Sequence, residues 1–233
     1  MSTYLLLWFE APLQSWGADS AFLRRDTLPF PTKSGVLGLL FCSAGLSGSQ
    51  EDTLAQFRTC RQDVFAFASP NAPMRRLEDF HMVGSGYDGG DKWQKLFIPK
   101  TLEGEKPNGP GIKLTHRFYI QNGHFAVLCE CPNPYGDIFS QSLRNPVFDI
   151  YLGRKNCVPS DFVFRGVFHQ PTDAVEEAKR IATDKHLQLV FSVHESMQSE
   201  DDEKFVIRDV PLSFGQRKVY TERNVFLSQP ANT

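Results

Sequence analysis

Apolar positions along the chain follow two rhythms. Residues 4–9 are apolar without interruption and are closed by Glu10-Ala11-Pro12, which predicts a buried strand over residues 3–9. From Ser34, the residues Val36, Leu37, Leu40, Phe41 and Ala44 fall on one face at helical spacing. This predicts a helix with Ser34 as N-cap and Gly45 or Gly48 as its C′ residue. A short helix follows at about residues 53–58. Residues 63–68 and 74–83 read as strands joined by the turn Ser69-Pro70-Asn71-Ala72-Pro73. Residues 113–120 and 124–130 read as a hairpin closed at Gln121-Asn122-Gly123. The remaining pattern predicts a short helix over 138–145 and strands over 147–152 and 162–168. A helix is expected from Pro171 to about Thr183 with Thr172 as N-cap, then strands over 187–193, 205–210 and 218–227.

Two stretches have no period. Residues 11–32 hold prolines, glycine and paired arginines, and a loop of that length in a domain is usually functional. Residues 84–112 are rich in glycine and in Lys92, Lys95, Lys100 and Lys106, and poor in apolar residues. They read as an extended basic β-arm. The early order strand-helix-strand-strand, followed by further strands, fits an α+β fold with a ferredoxin-like N-terminal domain over 1–145. The arm is inserted in that domain, and a small β-rich part follows over 146–233.

At 233 residues, 41% hydrophobic and 22% charged, the chain has a globular profile and room for one large domain or two small ones. No apolar stretch approaches membrane-spanning length, and no basic segment precedes the first apolar run, so a cytoplasmic protein is expected, with no membrane partner. Five cysteines without a second Cys/His pair at zinc-site spacing point to reduced, packed thiols; no metal and no cofactor are expected. The formal net charge of −2 argues against indiscriminate nucleic-acid binding. The cations are nevertheless grouped: Arg24-Arg25, Arg75-Arg76, Arg154-Lys155 and Arg217-Lys218 are pairs that, with Lys33 and Arg117, are candidates to line one groove.

Lys33 is the odd residue at the predicted helix start, because a cation meets the positive end of the helix dipole there. Lys33, Ser34 and free backbone N–H groups would make an anion site; the alternative is a solvated lysine beside an ordinary cap. A P-loop is absent, since the position five residues before Lys33 is Leu28, and neither G-x-S-x-G nor H-E-x-x-H occurs. A metal-independent ribonuclease would need a base, an acid and a phosphate-binding cation, for which His81, His116, Lys113, Tyr119 and Arg117 are suitable. A strand would, however, turn Lys113, Thr115 and Arg117 away from His116, which reads better as a structural or RNA-stacking residue. RNA binding asks for backbone cations, helix-start N–H groups and base platforms. Trp16 beside Gly17, Arg24-Arg25, Lys33-Ser34-Gly35 and the basic arm offer each of these.

Three motifs carry a resemblance. Ala11-Pro12-Leu13-Gln14-Ser15-Trp16-Gly17 resembles G-P-x-Q-A-W-G, and Phe30-Pro31-Thr32-Lys33-Ser34-Gly35-Val36-Leu37-Gly38-Leu39-Leu40 resembles F-P-T-[RK]-S-G-[LV]-x-G-L-L. Tyr151-Leu152-Gly153-Arg154-Lys155-Asn156-Cys157 resembles Y-L-G-R-[RK]-x-C. In order and spacing these resemble the Cas-five family of RAMP proteins, in the form found in type I-E CRISPR Cascade. The resemblance implies a ferredoxin-like, RRM-related domain with a β-hairpin thumb at 84–112. It implies a subunit that caps the 5′ handle of the crRNA beside the CasC backbone subunit and a CasA-type large subunit. Target DNA is then reached near its PAM-proximal end through the complex. Handle contacts are expected at Gln14, Trp16, Gly17, Lys33, Ser34, Gly35, Arg154 and Lys155. Arg24 and Arg25 join them, and His81, Met82, Thr115, His116 and Arg117 flank the thumb. Two functions follow: a non-catalytic crRNA-binding cap, or an endoribonuclease processing precursor crRNA as in type I-C members, with His116, Lys113 or Tyr119 in the chemistry. On the first reading, Lys33→Glu is expected to weaken RNA binding and leave the fold in place.

Overall fold

The structure is a computed structural model that describes residues 2–17, 23–83 and 113–230. The arm predicted over 84–112 lies outside them. Among the described residues the fold is mixed α+β, built on a seven-stranded antiparallel sheet. The unbroken apolar run forms strand β1 (Thr3–Glu10), which lies next to one edge of that sheet. Leu5, Leu7 and Phe9 point to one face and Leu6 and Trp8 to the other, all without solvent exposure. Both faces of β1 are covered, which is why the run does not alternate with polar residues.

The first face is covered by α1 (Lys33–Ser43), α2 (Glu51–Phe57) and, after the remaining strands of the early succession, α3 (Tyr135–Arg144). Those strands are β4 (Gln62–Ala68), β7 (His124–Cys131) and β8 (Phe164–Phe168), and with β1 they lie in the order β4-β7-β1-β8. Helix α4 (Pro171–Asp184) covers the second face, where Ala174, Ala178 and Ala182 let its backbone sit close over Leu6, Trp8, Ala126 and Leu128. Beyond β4 the same sheet continues through β9 (Gln188–His194), β11 (Val219–Ser228) and β10 (Glu203–Ser213). The predicted division at 145/146 therefore does not separate two cores: β8 and β9 flank opposite sides of β1-β7-β4, and Leu152, Val163, Val193 and Val225 join the cluster around α1.

A second sheet is built on β6 (Lys113–Gln121), with β5 (Arg75–Val83) antiparallel along one edge and β2 (Leu13–Gln14) and β3 (Arg24–Arg25) on the other. The hairpin predicted between residues 113–120 and 124–130 is thereby corrected. The Asn122 turn forms, at φ 60°, but β6 and β7 do not pair. Both edges of β6 are taken by β5, β2 and β3, and both edges of β7 by β1 and β4. The chain crosses between sheets at the turn.

Three further expectations are corrected. Residues 147–152 form no strand; they are held by single bonds to loops and helix ends, such as the Val147 amide to the Ser43 carbonyl at 2.8 Å. The cap of α4 is Gln170 rather than Thr172, with Pro171 as the first helical residue, where a missing N–H costs nothing. The cap of α1 is Thr32 rather than Ser34: its hydroxyl accepts from the Gly35 amide at 3.2 Å. Gly45, at φ +72°, ends α1 as expected.

Lys33 is consequently the first residue of α1, and it is buried. Its ammonium donates to the Cys60 carbonyl and to Glu195 at 3.2 Å. Glu195 in turn takes the Arg223 guanidinium at 2.6 Å, and Arg223 forms a two-pronged pair with Asp209 at 2.7 and 2.8 Å. Asp209 closes the circuit by accepting the Lys33 backbone N–H at 2.7 Å. The anion at the start of α1 is thus a carboxylate of the protein itself. Burial works against the Arg223 charge, but hydrogen bonds and attraction from Asp209, then Glu195, outweigh it and hold its pKa above the ordinary value.

Two stability predictions follow from this packing. Lys33→Glu puts a third carboxylate against Glu195 and Asp209 in a buried site. It is expected to cost ~3–5 kcal/mol, read as a fall in the urea midpoint; an unchanged midpoint would return Lys33 to the surface. At the other end of β1, burial holds the His124 imidazole below its ordinary 6.5 against the raising effect of Glu10. The unfolded chain binds a proton there that the folded chain refuses, so this contribution is complete above about pH 6.5 and is lost as the pH falls below it. The midpoint of wild type should therefore decline from pH 7 toward about 5, and His124→Gln should flatten that decline. An equally steep decline in the variant would exclude His124 as its source.

Candidate nucleic-acid interface

The three sequence motifs, far apart in the chain, meet at one place. Gly153 adopts φ +93°, and a Cβ there would stand 1.6 Å from the Ser15 carbonyl oxygen. Only glycine admits that approach. The contact is fastened by the Ser15 amide donating to the Leu152 carbonyl at 3.1 Å and by the Ser15 hydroxyl donating to the Phe118 carbonyl at 3.2 Å. The second junction is Gly35, where an added Cβ would meet the Trp16 ring and the Thr32 hydroxyl, each at 2.9 Å. The Trp16 indole therefore lies directly over the start of α1. The third is Arg154, which donates to the Arg25 carbonyl at 2.8 Å while its guanidinium lies 4.6 Å from the Tyr119 ring centre.

The opening motif supports this place from behind. Gln14 is buried and donates to the Gly123 carbonyl at 2.7 Å and to the Phe9 carbonyl at 3.3 Å, while accepting from the Trp16 indole N–H at 3.2 Å. Trp16 is buried and stacked on Phe9 at 5.2 Å. Gln14 and Trp16, expected as direct contacts, are instead the frame that holds Ser15 and Gly17 in place. Their amide and indole groups are committed to internal partners.

What the motifs frame is a groove of about 710 Å³. One side carries Ser15, Gly17, Arg25, Asp26, Ser34, Gly153 and Arg154, and the other carries Arg208, Lys218 and Tyr220 of the β10–β11 ribbon with Arg217 at its turn. Five cations against one carboxylate make this the basic face of a chain whose net charge is −2. A second cleft of about 540 Å³ adjoins it along α1, floored by Gly35, Gly38 and Cys42 and walled by Phe148, Tyr151, Phe214 and Tyr220. Burial pushes the Cys42 thiol above its ordinary pKa, so it is a packing group rather than a nucleophile.

Of the predicted residues, Gly17, Arg25, Ser34 and Arg154 line the groove, Trp16 and Gly35 border the adjoining cleft, and Lys155 is exposed next to Arg154. Lys33 is corrected: it is inside the protein, and two of the N–H groups at the α1 start are taken by Asp209 and Thr32. Arg24 stands on β3, outside the groove. His81, Met82, Thr115, His116 and Arg117 lie along β5 and β6 and do not line it, although Arg117 pairs with the groove residue Arg25. Arg208 and Tyr220 had no local signal, being single polar residues in strands; Arg217-Lys218 was visible as a basic pair.

The alternative catalytic set does not converge. His116 pairs through Nδ1 with Glu78 at 2.6 Å on one face of β6, and Phe80 lies beside its ring. Tyr119 is on the other face, buried, its hydroxyl accepting from Asn156 at 3.1 Å. Of Lys113 the backbone is described, paired with Val83. Among the described residues no cluster of His, Cys, Asp or Glu is arranged to hold a metal ion, and no helix is long and apolar enough to cross a membrane.

Comparison with known proteins gives this geometry a context. The CasD subunit of the CRISPR system Cascade from Escherichia coli (strain K12) is 25% identical to this chain over 233 residues, covering 94% of this chain and 96% of that one. A chain of a solved CRISPR RNA-guided surveillance complex shares the fold with a TM-score of 0.72 at 24% identity, over 97% of this chain and 89% of its own length. A crystal structure of a Cas protein matches with a TM-score of 0.56 at 22% identity, over 97% of this chain and 95% of that one. The sequence profile of the family described as CRISPR-associated protein (Cas_Cas5) matches residues 4–226, a span that includes all three motifs and every cation of the groove. This chain belongs to the Cas5 family of CRISPR-associated proteins.

Proposed function

We propose that this chain is the crRNA-binding subunit of a type I-E Cascade surveillance complex and that its basic groove holds the 5′ handle of the crRNA. The observation that carries this reading is the convergence of Ser15-Gly17, Ser34 and Gly153-Arg154 with Arg208, Arg217 and Lys218 on one concave surface. An RNA backbone is recognised by such a track of cations, and the aromatic-walled cleft beside it suits bases turned away from the strand. Family membership and the likeness to Escherichia coli CasD support the assignment to Cascade. In that setting the chain sits in the cytoplasm beside a CasC-type backbone subunit and a CasA-type large subunit. It meets target DNA near the PAM-proximal end only through the complex, while the guide reads the DNA sequence.

The succession β1-α1-β4-β7-α3-β8, with strand order β4-β7-β1-β8 and α1 and α3 on one face, supports a ferredoxin-like unit. Strands β5 and β6 pair out to Val83 and Lys113, the residues that bracket 84–112, which supports reading that segment as the thumb. The chain acts as a binding subunit rather than a nuclease: the separation of His116 from Tyr119 across β6 favours this over cleavage.

Two measurements test the reading. In titrations of the purified chain with handle RNA, the double variant Arg217→Glu, Lys218→Glu is expected to bind at least about tenfold more weakly and to flatten the salt dependence by ~1.4 in slope, two phosphate contacts at ~0.7 each. Unchanged affinity and slope would remove the groove from RNA binding. Incubated with a repeat hairpin RNA without metal, the wild type should leave it intact; specific cleavage abolished by His116→Ala would replace the cap with the processing enzyme.

A further inference from the structure

Next to the groove, two arginines from different strands share one carboxylate above one aromatic ring. Arg24 of β3 and Arg76 of β5 place their guanidinium carbons 4.6 and 4.1 Å from the centre of the Phe118 ring, which is buried beneath them in β6. Asp26 accepts from Arg76 at 2.6 Å and from Arg24 at 3.4 Å. The other nearby carboxylate, Glu78, is turned to His116 at 2.6 Å. Glu78 lines the same depression but is engaged by His116, so the two guanidiniums share the single Asp26 carboxylate and keep further N–H donors for another acceptor. The ring fixes their orientation, because β3 and β5 flank β6 on opposite edges.

Asp26 has a second position in the architecture: it also lines the basic groove, next to Arg25. The clamp is therefore continuous with the groove. We infer that Arg24 and Arg76 form a further phosphodiester subsite for the same RNA, and that the Asp26 carboxylate occupies it until a phosphate takes its place. The inference rests on the RNA-binding reading of the groove and extends the RNA path from Arg154 and Arg25 toward the base of β5 and β6.

The chemistry favours exchange. The side chains of Arg24 and Arg76 are 61% and 50% exposed, so their bonds to Asp26 are of the weakly held surface kind. A phosphate offers the same acceptor geometry with more oxygens, and the planar guanidinium fork matches it in two-pronged fashion. The Phe118 ring orients both guanidiniums before RNA arrives, which lowers the side-chain freedom lost on binding. Asp26 also acts as a filter. An isolated small anion must displace a carboxylate for a single contact, whereas a strand already seated in the groove presents its next phosphate at high effective concentration.

The test measures handle-RNA affinity of the full chain across a salt series for Asp26→Asn, Arg76→Ala and the two combined. Asparagine retains the oxygen that accepts from the Thr27 amide and from Arg76, so the local turn is kept while the carboxylate charge that neutralises the two guanidiniums is removed. Asp26→Asn is expected to tighten binding about threefold or more and to steepen the salt slope. Arg76→Ala is expected to weaken binding and to lower the slope by ~0.7. In the double variant most of the Asp26→Asn gain should disappear, because a cation whose charge it unmasked is gone. The subsite is overturned if Asp26→Asn changes neither affinity nor slope. It is equally overturned if the gain survives in full without Arg76, which would mark a general charge effect. If Arg217→Glu, Lys218→Glu weakens binding while these variants do not, the clamp falls and the groove stands; a wild-type chain that binds no RNA removes both.

Discussion

The architecture depends on four linked charges, of which Lys33, Arg223 and Asp209 have buried side chains and Glu195 is partly exposed. Lys33, Glu195, Arg223 and Asp209 link the start of α1, the end of β9 and both strands of the β10–β11 ribbon in one closed circuit. The ribbon's pairing with the rest of the sheet is short, β11 meeting β9 only from Phe226 to Ser228, so the circuit adds to the packing of Val225 and Phe214 against the α1 core. Buried ion pairs are expensive to desolvate and contribute little net stability over a well-packed apolar alternative. Their effect here is geometric. Each charge is satisfied only when helix, strand end and ribbon stand in a single arrangement, and that arrangement puts Arg208, Arg217 and Lys218 across from Arg25 and Arg154.

The other wall of the groove is set by backbone contact rather than by charge. Gly153 touches the Ser15 carbonyl and Gly35 touches the Trp16 ring at distances that no side chain permits. Gln14 ties the same loop to the inter-sheet turn at Gly123, and Trp16 stacks on Phe9 of β1. The motif residues thus divide by task. Gln14 and Trp16 are internal supports, and the small residues Gly17, Ser34 and Gly153 form the surface that a ligand can approach, with Ser15 set just behind it. Arg154 comes from the third motif, and the other cations are added from Arg25 and the β10–β11 ribbon.

This division also explains how a chain of net charge −2 presents a basic face. The cations are concentrated by folding, with the Arg24–Asp26–Arg76 clamp at one end of the groove and Arg217-Lys218 at the other. Much of the acidic charge is spent elsewhere. Glu195 and Asp209 are in the Lys33 circuit. Glu10 and Asp161 hold Lys185 at 2.8 Å each, and although burial alone would raise their pKa values, the bonds from Lys185 keep both carboxyls below the ordinary range.

The sequence by itself determined most of the elements, because their signals are local. The apolar run of β1, the helical spacing after Pro31, the glycine that ends α1 and the turn residues between strands act over a few neighbouring positions. The motif order also marked the right segments and, through them, the family. Tertiary structure decided which of those residues face solvent and which strands pair. Asn122-Gly123 announced a turn correctly, yet the strands on either side joined different sheets because their edges were claimed by segments distant in the chain. Lys33 looked like an anion site because local sequence shows a cation at a helix start but not the carboxylates that meet it from positions 195 and 209. Burial and pairing across such distances are properties of packing, and no window of sequence contains them.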